Sequence, residues 1–270
     1  MKKLIYLLVL LLLLAFTACS EKDNPSEVKI LGYKLDQFIN PDTVRIHIDP
    51  QAEADLEYRS LFAYEIVSST DGFSPRQSAY AGYDLPWETF SQGYYVPNDD
   101  HRTWFPGMGL PSAFKVRNAG LFRLYRKVDV DAGNRGSKLI ELRGLSTYTV
   151  DNWSGTAEDA IKLSDLLQGI AAYDSVAFVA VDGYSKNYQP EHINDGYYLL
   201  NSEVTTFPNF NSTLPGNMKK FKKLAKINVY GATSAQNFDF ALAPEEKADL
   251  TFTIPSDLSG FESTEMVTEK

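Results

Sequence analysis

Val176-Ala177-Phe178-Val179-Ala180-Val181, followed at once by Asp182-Gly183-Tyr184-Ser185-Lys186, is the stretch around which the chain reads. Six apolar residues in a row predict a buried strand. The Asp-Gly pair predicts a sharp turn, because glycine tolerates positive φ and aspartate can bond its own backbone. Residues 61–67 followed by Asp71-Gly72-Phe73-Ser74-Pro75-Arg76 echo this order upstream. Further along, 121–130 and 218–230 mirror each other as strands with interleaved cations. Two accounts of the echo stay open: a duplicated half-unit with a loop insertion, and coincidence between two β-rich halves.

Working outward, 44–48 alternates and predicts a strand, as do 139–142, 147–150, 197–200 and 248–254. Ser164 predicts an N-cap for a short helix over 165–170, with Leu163, Leu166, Leu167 and Ile170 on one face. From 74 to 119 the chain is rich in proline and glycine and crowded with rings: Tyr80, Tyr83, Trp87, Phe90, Tyr94, Tyr95, Trp104 and Phe105. A loop of that length is usually functional in a compact domain. The expected fold class is α+β, mostly β. The expected divisions are a leader over 1–18, a tether over 19–30, a first β-rich unit over 31–132, a second unit over 137–256 and a fraying polar tail over 257–270, with a turn-rich connector at 131–136.

Met1-Lys2-Lys3 and the fifteen residues from Leu4 to Ala18, apolar apart from Thr17, have the form of a signal peptide. The run is short of the roughly 20 residues that span a bilayer. It ends at Phe16-Thr17-Ala18-Cys19, and Cys19 is the single cysteine of the chain. This resembles a bacterial lipoprotein signal, which makes Cys19 the lipid (palmitate) attachment site; an ordinary secretory leader is the alternative. Acidic residues soon after Cys19 resemble the export signal of surface-displayed lipoproteins in some Gram-negative bacteria. The expected location is the outer membrane, lipid-anchored and surface-exposed. With Cys19 consumed, no thiol is left for a disulfide, a nucleophile or a metal. The net charge is -9, and losing Lys2 and Lys3 with the leader leaves 24 basic against 35 acidic residues. Such a surface repels phosphate backbones, so nucleic acid is not an expected partner.

Trp153-Ser154-Gly155, then Ile161-Lys162-Leu163-Ser164-Asp165-Leu166-Leu167, then the 176–181 strand into Asp182-Gly183-Tyr184 carry a family resemblance. Over about a third of the chain, 139–230, they resemble the oxidoreductase molybdopterin-binding domain, the fold of the sulfite oxidase group. The resemblance implies a sulfite-oxidase-like scaffold and a molybdopterin cofactor. Family enzymes hold molybdenum through a cysteine thiolate and leave the cell folded through a twin-arginine signal. This chain has neither, so the expectation is a degenerate copy without molybdenum and with no catalytic residue carried over.

Three histidines, His47, His101 and His192, are too scattered to read as a metal site. The expected ligand-binding residues are Trp87, Tyr94, His101, Arg102 and Trp104 in the aromatic loop, with Asp182, Tyr184, Lys186 and His192 around the second turn. If the halves are pseudo-symmetric, the loops of His101 and His192 converge on one pocket. Asp71 with Arg76, and Asp182 with Lys186, read as turn chemistry beside solvated cations rather than acid–base pairs. Lys219, Lys220, Lys222, Lys223 and Lys226 read as a solvated face or a hold for an anionic headgroup or glycan. The functional expectation is a ligand-binding or accessory module; the alternatives are an oxidoreductase with an altered cofactor site and a structural or adhesion component of the envelope.

Overall fold

The structure is a computed structural model that describes residues 28–236 and 240–268. The leader, Cys19 and most of the tether lie outside the described residues. Strands in the first half are β1 (Val28–Lys34), β2 (Phe62–Ser68), β3 (Leu85–Pro86), β4 (Tyr94–Val96), β5 (Arg102–Trp104), β6 (Ala119–Asp131) and β7 (Ser137–Glu141). There follow β8 (Thr147–Asp151), β9 (Ala157–Lys162), β10 (Ile170–Ala171), β11 (Ser175–Ala180), β12 (Ser185–Tyr188), β13 (Tyr197–Leu199) and β14 (Val204–Thr206). The last four are β15 (Leu224–Tyr230), β16 (Ser234–Ala235), β17 (Leu250–Thr253) and β18 (Ser263–Thr268). The protein is mostly β, with several sheets and short helices.

The long strand β6 organises these elements. Its sequence alternates strictly, so Phe122, Leu124, Arg126, Val128 and Val130 share one face, and Arg123, Tyr125, Lys127 and Asp129 the other. Its first half pairs antiparallel with β2 and β17. Its second half pairs antiparallel with β7 and parallel with β15. The central sheet runs β12-β11-β15-β6-β2-β3, with β7 and β17 also on β6. Phe122 and Leu124 enter a first core with Phe62, Tyr64, Trp87, Phe90 and Phe114. Val128 and Val130 enter a second core with Phe178, Tyr188, Tyr198, Phe221 and Ile227. One strand therefore serves two cores, and Arg126 stands where they meet.

The echo in the sequence has a structural counterpart. Both Asp-Gly turns are Asx turns: Asp71 Oδ1 accepts from Phe73 N–H at 3.1 Å, and Asp182 Oδ1 from Tyr184 N–H at 2.8 Å. Gly72 and Gly183 take φ of +70° and +81°, which a side chain at either position would resist. The strands entering the turns, β2 and β11, pair antiparallel with β6 and β15 respectively, and β6 and β15 lie side by side in parallel.

Several expectations are corrected. Residues 44–48 belong to a helix, Pro41–Ile48, not a strand. Asn40 caps it through Asp42 and Thr43 N–H, Pro41 sits in the first turn where its missing N–H costs nothing, and Val44 and Ile48, four apart, are the buried pair. The helix near Ser164 is one turn, Leu163–Leu166, with Ser164 inside it and no side-chain cap. The mirrored stretch 218–230 divides into a helical turn at Gly216–Lys219 and β15. The loop-rich segment contains β3, a helical turn at Trp87–Phe90, β4 and β5, and most of its rings fill the first core. Asp131–Gly136 is the turn of the β6–β7 hairpin. The tail does not fray over its described part, since Ser263–Thr268 pairs with β1 in register from Tyr33 to Val28, and the last residues of the tether start that strand.

Arg126 is only 4% exposed, and all three of its guanidinium nitrogens are spent. Nε bonds Glu203 at 3.0 Å; one terminal nitrogen reaches the Leu61 and Lys127 carbonyls; the other reaches Tyr198, Glu203 and the Leu224 carbonyl. These partners come from segments distant in sequence that pack on the two cores, so the buried charge ties those cores together. Arg126→Met is expected to cost about 3–5 kcal/mol, because it strands the buried Glu203 carboxylate. The double variant Arg126→Met/Glu203→Met should recover most of that loss. Urea denaturation measures both, and a single-variant loss under about 1 kcal/mol, the scale of an exposed pair, would count against the network as the join.

Candidate functional site

The structure divides the residues singled out in the sequence. Tyr94, His101, Arg102 and Trp104 gather on the β4–β5 hairpin, in the sheet ordered β18-β1-β4-β5. Their polar groups are used locally: Tyr95 OH meets His101 Nδ1 at 2.7 Å, Trp104 Nε1 donates to Asp99 at 2.7 Å, and Arg102 lies near Asp99 and Asp100. Trp87 is buried in the first core beside Tyr64, under the Arg59 guanidinium at 4.2 Å. Asp182, Tyr184 and Lys186 sit on the β11–β12 hairpin at the second core, where Tyr184 stacks on Phe221. His192 belongs to the helix Pro190–Asp195, accepts from Gln189 N–H and packs edge-on against Phe210. His101 therefore stands in a hairpin turn and His192 on a helix against the second core, and neither lines the cavity beside Arg126.

A cavity of about 280 Å³ opens beside Arg126, at the join of the two cores. His47, Ile48, Arg126, Leu142, Arg143, Leu200, Asn201, Glu203 and Asp249 line it. Its floor is rigid and charged. Glu203, 6% exposed, receives Arg126 and the Tyr198 hydroxyl. Burial first, and the Glu203 charge second, hold the Tyr198 phenol well above its ordinary range. Burial pulls the Arg126 guanidinium down, and Glu203 and Tyr198 more than offset it, so it stays charged. Glu203 also takes φ +51°, a left-handed conformation that costs a non-glycine residue on the order of 1–3 kcal/mol. The strained backbone is braced by Lys223, also left-handed at φ +52°, whose N–H donates to the Glu203 carbonyl at 2.8 Å. Asp249 completes the floor: one carboxylate oxygen accepts from Arg126 N–H and the other from Arg143 Nε, each at 2.7 Å.

The site lay outside the sequence reading, although a signal was there. In Phe122-x-Leu124-x-Arg126-x-Val128-x-Val130 the arginine occupies the parity of the apolar face. A cation locked into an otherwise apolar row needs a buried partner.

The opposite face of β6 carries a second ionic network. Arg76 meets Asp84 at 2.6 Å, Glu141 at 2.8 Å and Glu65 at 3.7 Å, and its guanidinium lies 4.0 Å above the Tyr125 ring. Tyr125 OH donates to Glu65 at 2.7 Å, and Arg123 joins Glu65 to Glu245. Arg76 is thus used by these acids rather than by Asp71. Glu141 is fully buried, and one of its carboxylate oxygens, Oε1, has no donor among the described residues. Burial, then the charge of Asp84, push the Glu141 carboxyl up to about 10, so it carries a proton at neutral pH. Of the five lysines read as one face, Lys226 pairs with Asp131 at 2.8 Å and Lys223 lies by Asp49, while Lys219 and Lys220 stand near the Trp153 ring.

Compared with protein-family models, with curated proteins and with solved structures, the chain matches none.

The protonated Glu141 sets a direction for pH dependence. Its folded value lies above its ordinary 4.5, so the folded state holds a proton that the unfolded state releases. The stabilisation is complete below pH 4.5 and is lost as pH rises towards about 10. Glu141→Gln, which copies the neutral acid, should match the wild type near pH 4.5 and exceed it increasingly towards alkaline pH. Glu141→Ala removes the acceptor of Arg76 and should cost about 1–3 kcal/mol at neutral pH. Thermal denaturation across the pH range measures both; parallel wild-type and Gln curves would show that no proton is held there.

Proposed function

We propose that this protein is a lipid-anchored component of the bacterial outer membrane, displayed at the surface, which holds a small ligand at the join of its two cores without catalysing a reaction on it. The observation that carries the reading is the cavity beside Arg126. It combines a braced, fully paired ionic floor with apolar walls at Ile48, Leu142 and Leu200. Concave sites with a few fixed polar groups on apolar walls are the usual form of a small-molecule site. A residue held in a strained conformation by its neighbours, as Glu203 is, belongs to the same pattern. The anchor reading rests on the leader that ends at Cys19.

The sulfite-oxidase-like scaffold without molybdenum belongs to this proposal. The residues that carry the resemblance follow one another through the second unit: Trp153 in the β8–β9 turn, Leu163 to Leu166 after β9, and Asp182-Gly183-Tyr184 after β11. The residues do not fit a thiolate-held molybdenum, because Cys19 is the single cysteine in the sequence and is assigned here to lipid. No step of chemistry is derived through such a cofactor.

Native mass spectrometry of the full lipidated protein from its own host tests the ligand reading. The expected result is a small-molecule mass beyond that of the lipid, lost in Leu200→Trp, which fills the cavity. A co-purifying protein with no small molecule would replace this reading with a structural or adhesion role. Cys19→Ala should move the protein from the detergent phase to the aqueous phase in detergent partitioning, and an unchanged partition would remove the anchor.

A further inference from the structure

The hydrogen-bonding capacity left over in the cavity beside Arg126 points to the charge of its ligand. Arg126 has no free nitrogen. Glu203 accepts from Arg126 on both oxygens and from Tyr198, and Asp249 accepts one N–H on each oxygen. Each carboxylate oxygen of the floor is therefore engaged, and the two charges are matched by Arg126 and Arg143.

Arg143 differs from Arg126. Its Nε is fixed to Asp249 at 2.7 Å, and its two terminal nitrogens have no hydrogen-bond partner among the described residues. The side chain is held at one end, half-buried at the cavity wall, and presents the free part of its fork. The exposed His47 ring and the Asn201 amide stand on the same rim and make no hydrogen bond to a described residue. Of the groups that remain open in the cavity, the His47 ring and the Asn201 amide can donate or accept, while Arg143 only donates, with a planar pair of N–H groups that matches a carboxylate in two-pronged geometry. Ile48, Leu142 and Leu200 offer apolar wall for the rest of the molecule. A cavity of about 280 Å³ is at the small end for ligand pockets, which selects a metabolite-sized guest.

We propose that the cavity binds a small monocarboxylate with a short apolar body, its carboxylate on the terminal nitrogens of Arg143 and its chain against Ile48, Leu142 and Leu200. This rests on the reading of the cavity as the ligand site and adds the class of the ligand. Asp249 is a positioning residue: it orients Arg143 by holding Nε.

Isothermal titration calorimetry on the full lipidated chain in detergent, with butyrate, butyramide and inorganic phosphate as probes, tests the proposal. Butyrate should bind, and its neutral amide should bind at least about tenfold more weakly, the scale of a hydrogen bond to a charged group. Arg143→Lys keeps the charge beside Asp249 but loses the fork, and should weaken butyrate by about tenfold with its unfolding temperature near that of the wild type. Leu200→Trp should abolish butyrate binding. Equal binding of butyrate and butyramide, butyrate binding unchanged in Arg143→Lys, tighter binding of phosphate, or no binding of butyrate each overturns the proposal. A neutral small molecule found by native mass spectrometry and displaced by Leu200→Trp would also overturn it while leaving the cavity as the ligand site. Absence of any small molecule sensitive to Leu200→Trp removes both.

Discussion

The Arg126–Glu203 pair is the constraint on which the rest of the structure depends. A guanidinium and a carboxylate removed from water cost several kcal/mol each unless every donor and acceptor is met. Here they are met from the Leu61, Lys127 and Leu224 carbonyls and the Tyr198 hydroxyl, and these groups belong to segments that pack on different cores. The pair therefore penalises any arrangement in which the second core is displaced along β6. Apolar contacts alone would not impose that penalty, because burial of hydrocarbon depends on area and has little direction.

A single strand with two chemically different faces explains the remaining layout. One face of β6 supplies Phe122 and Leu124 to the first core and Val128 and Val130 to the second. The other supplies Arg123 and Tyr125 to a network in which Arg76 is surrounded by Glu65, Asp84 and Glu141. Three acids around one arginine leave negative charge in excess, and keeping Glu141 protonated removes one of those charges. Both faces thus place ions out of water, and each settles the cost differently: by complete pairing around Arg126, and by retaining a proton around Arg76.

Much of this was legible along the chain because it depends on local period and turn chemistry. The strands β2, β6, β7, β11 and β17, and both Asp-Gly turns, follow from alternation, apolar runs and glycine at positive φ. The errors fell where a second local signal competed. In 41–48 the alternation of Val44, Ile46 and Ile48 suggested a strand, yet Asn40 and Pro41 form a helix start and Val44 and Ile48 also fit helical spacing. The rings of 80–105 divide between core and surface: Phe90, Tyr95 and Phe105 are core residues, whereas Tyr80 is 89% exposed. Composition is the same in both cases, and which rings face inward depends on partners such as Tyr64 and Phe122, distant in sequence.

By itself the sequence determined the mostly β character, the two Asx turns and the absence of any cysteine beyond Cys19, because each of these depends on neighbouring residues or on composition. It also contained the parity of Arg126, which marks a cation on an apolar face. Tertiary structure decided which acids that arginine and Arg76 meet, and where a cavity remains. Glu203 lies 77 residues from Arg126, and Glu141 lies 65 from Arg76. No local period carries such pairings. They follow from the path of β6 through both cores and from the need of each buried charge for a partner, wherever in the chain that partner stands.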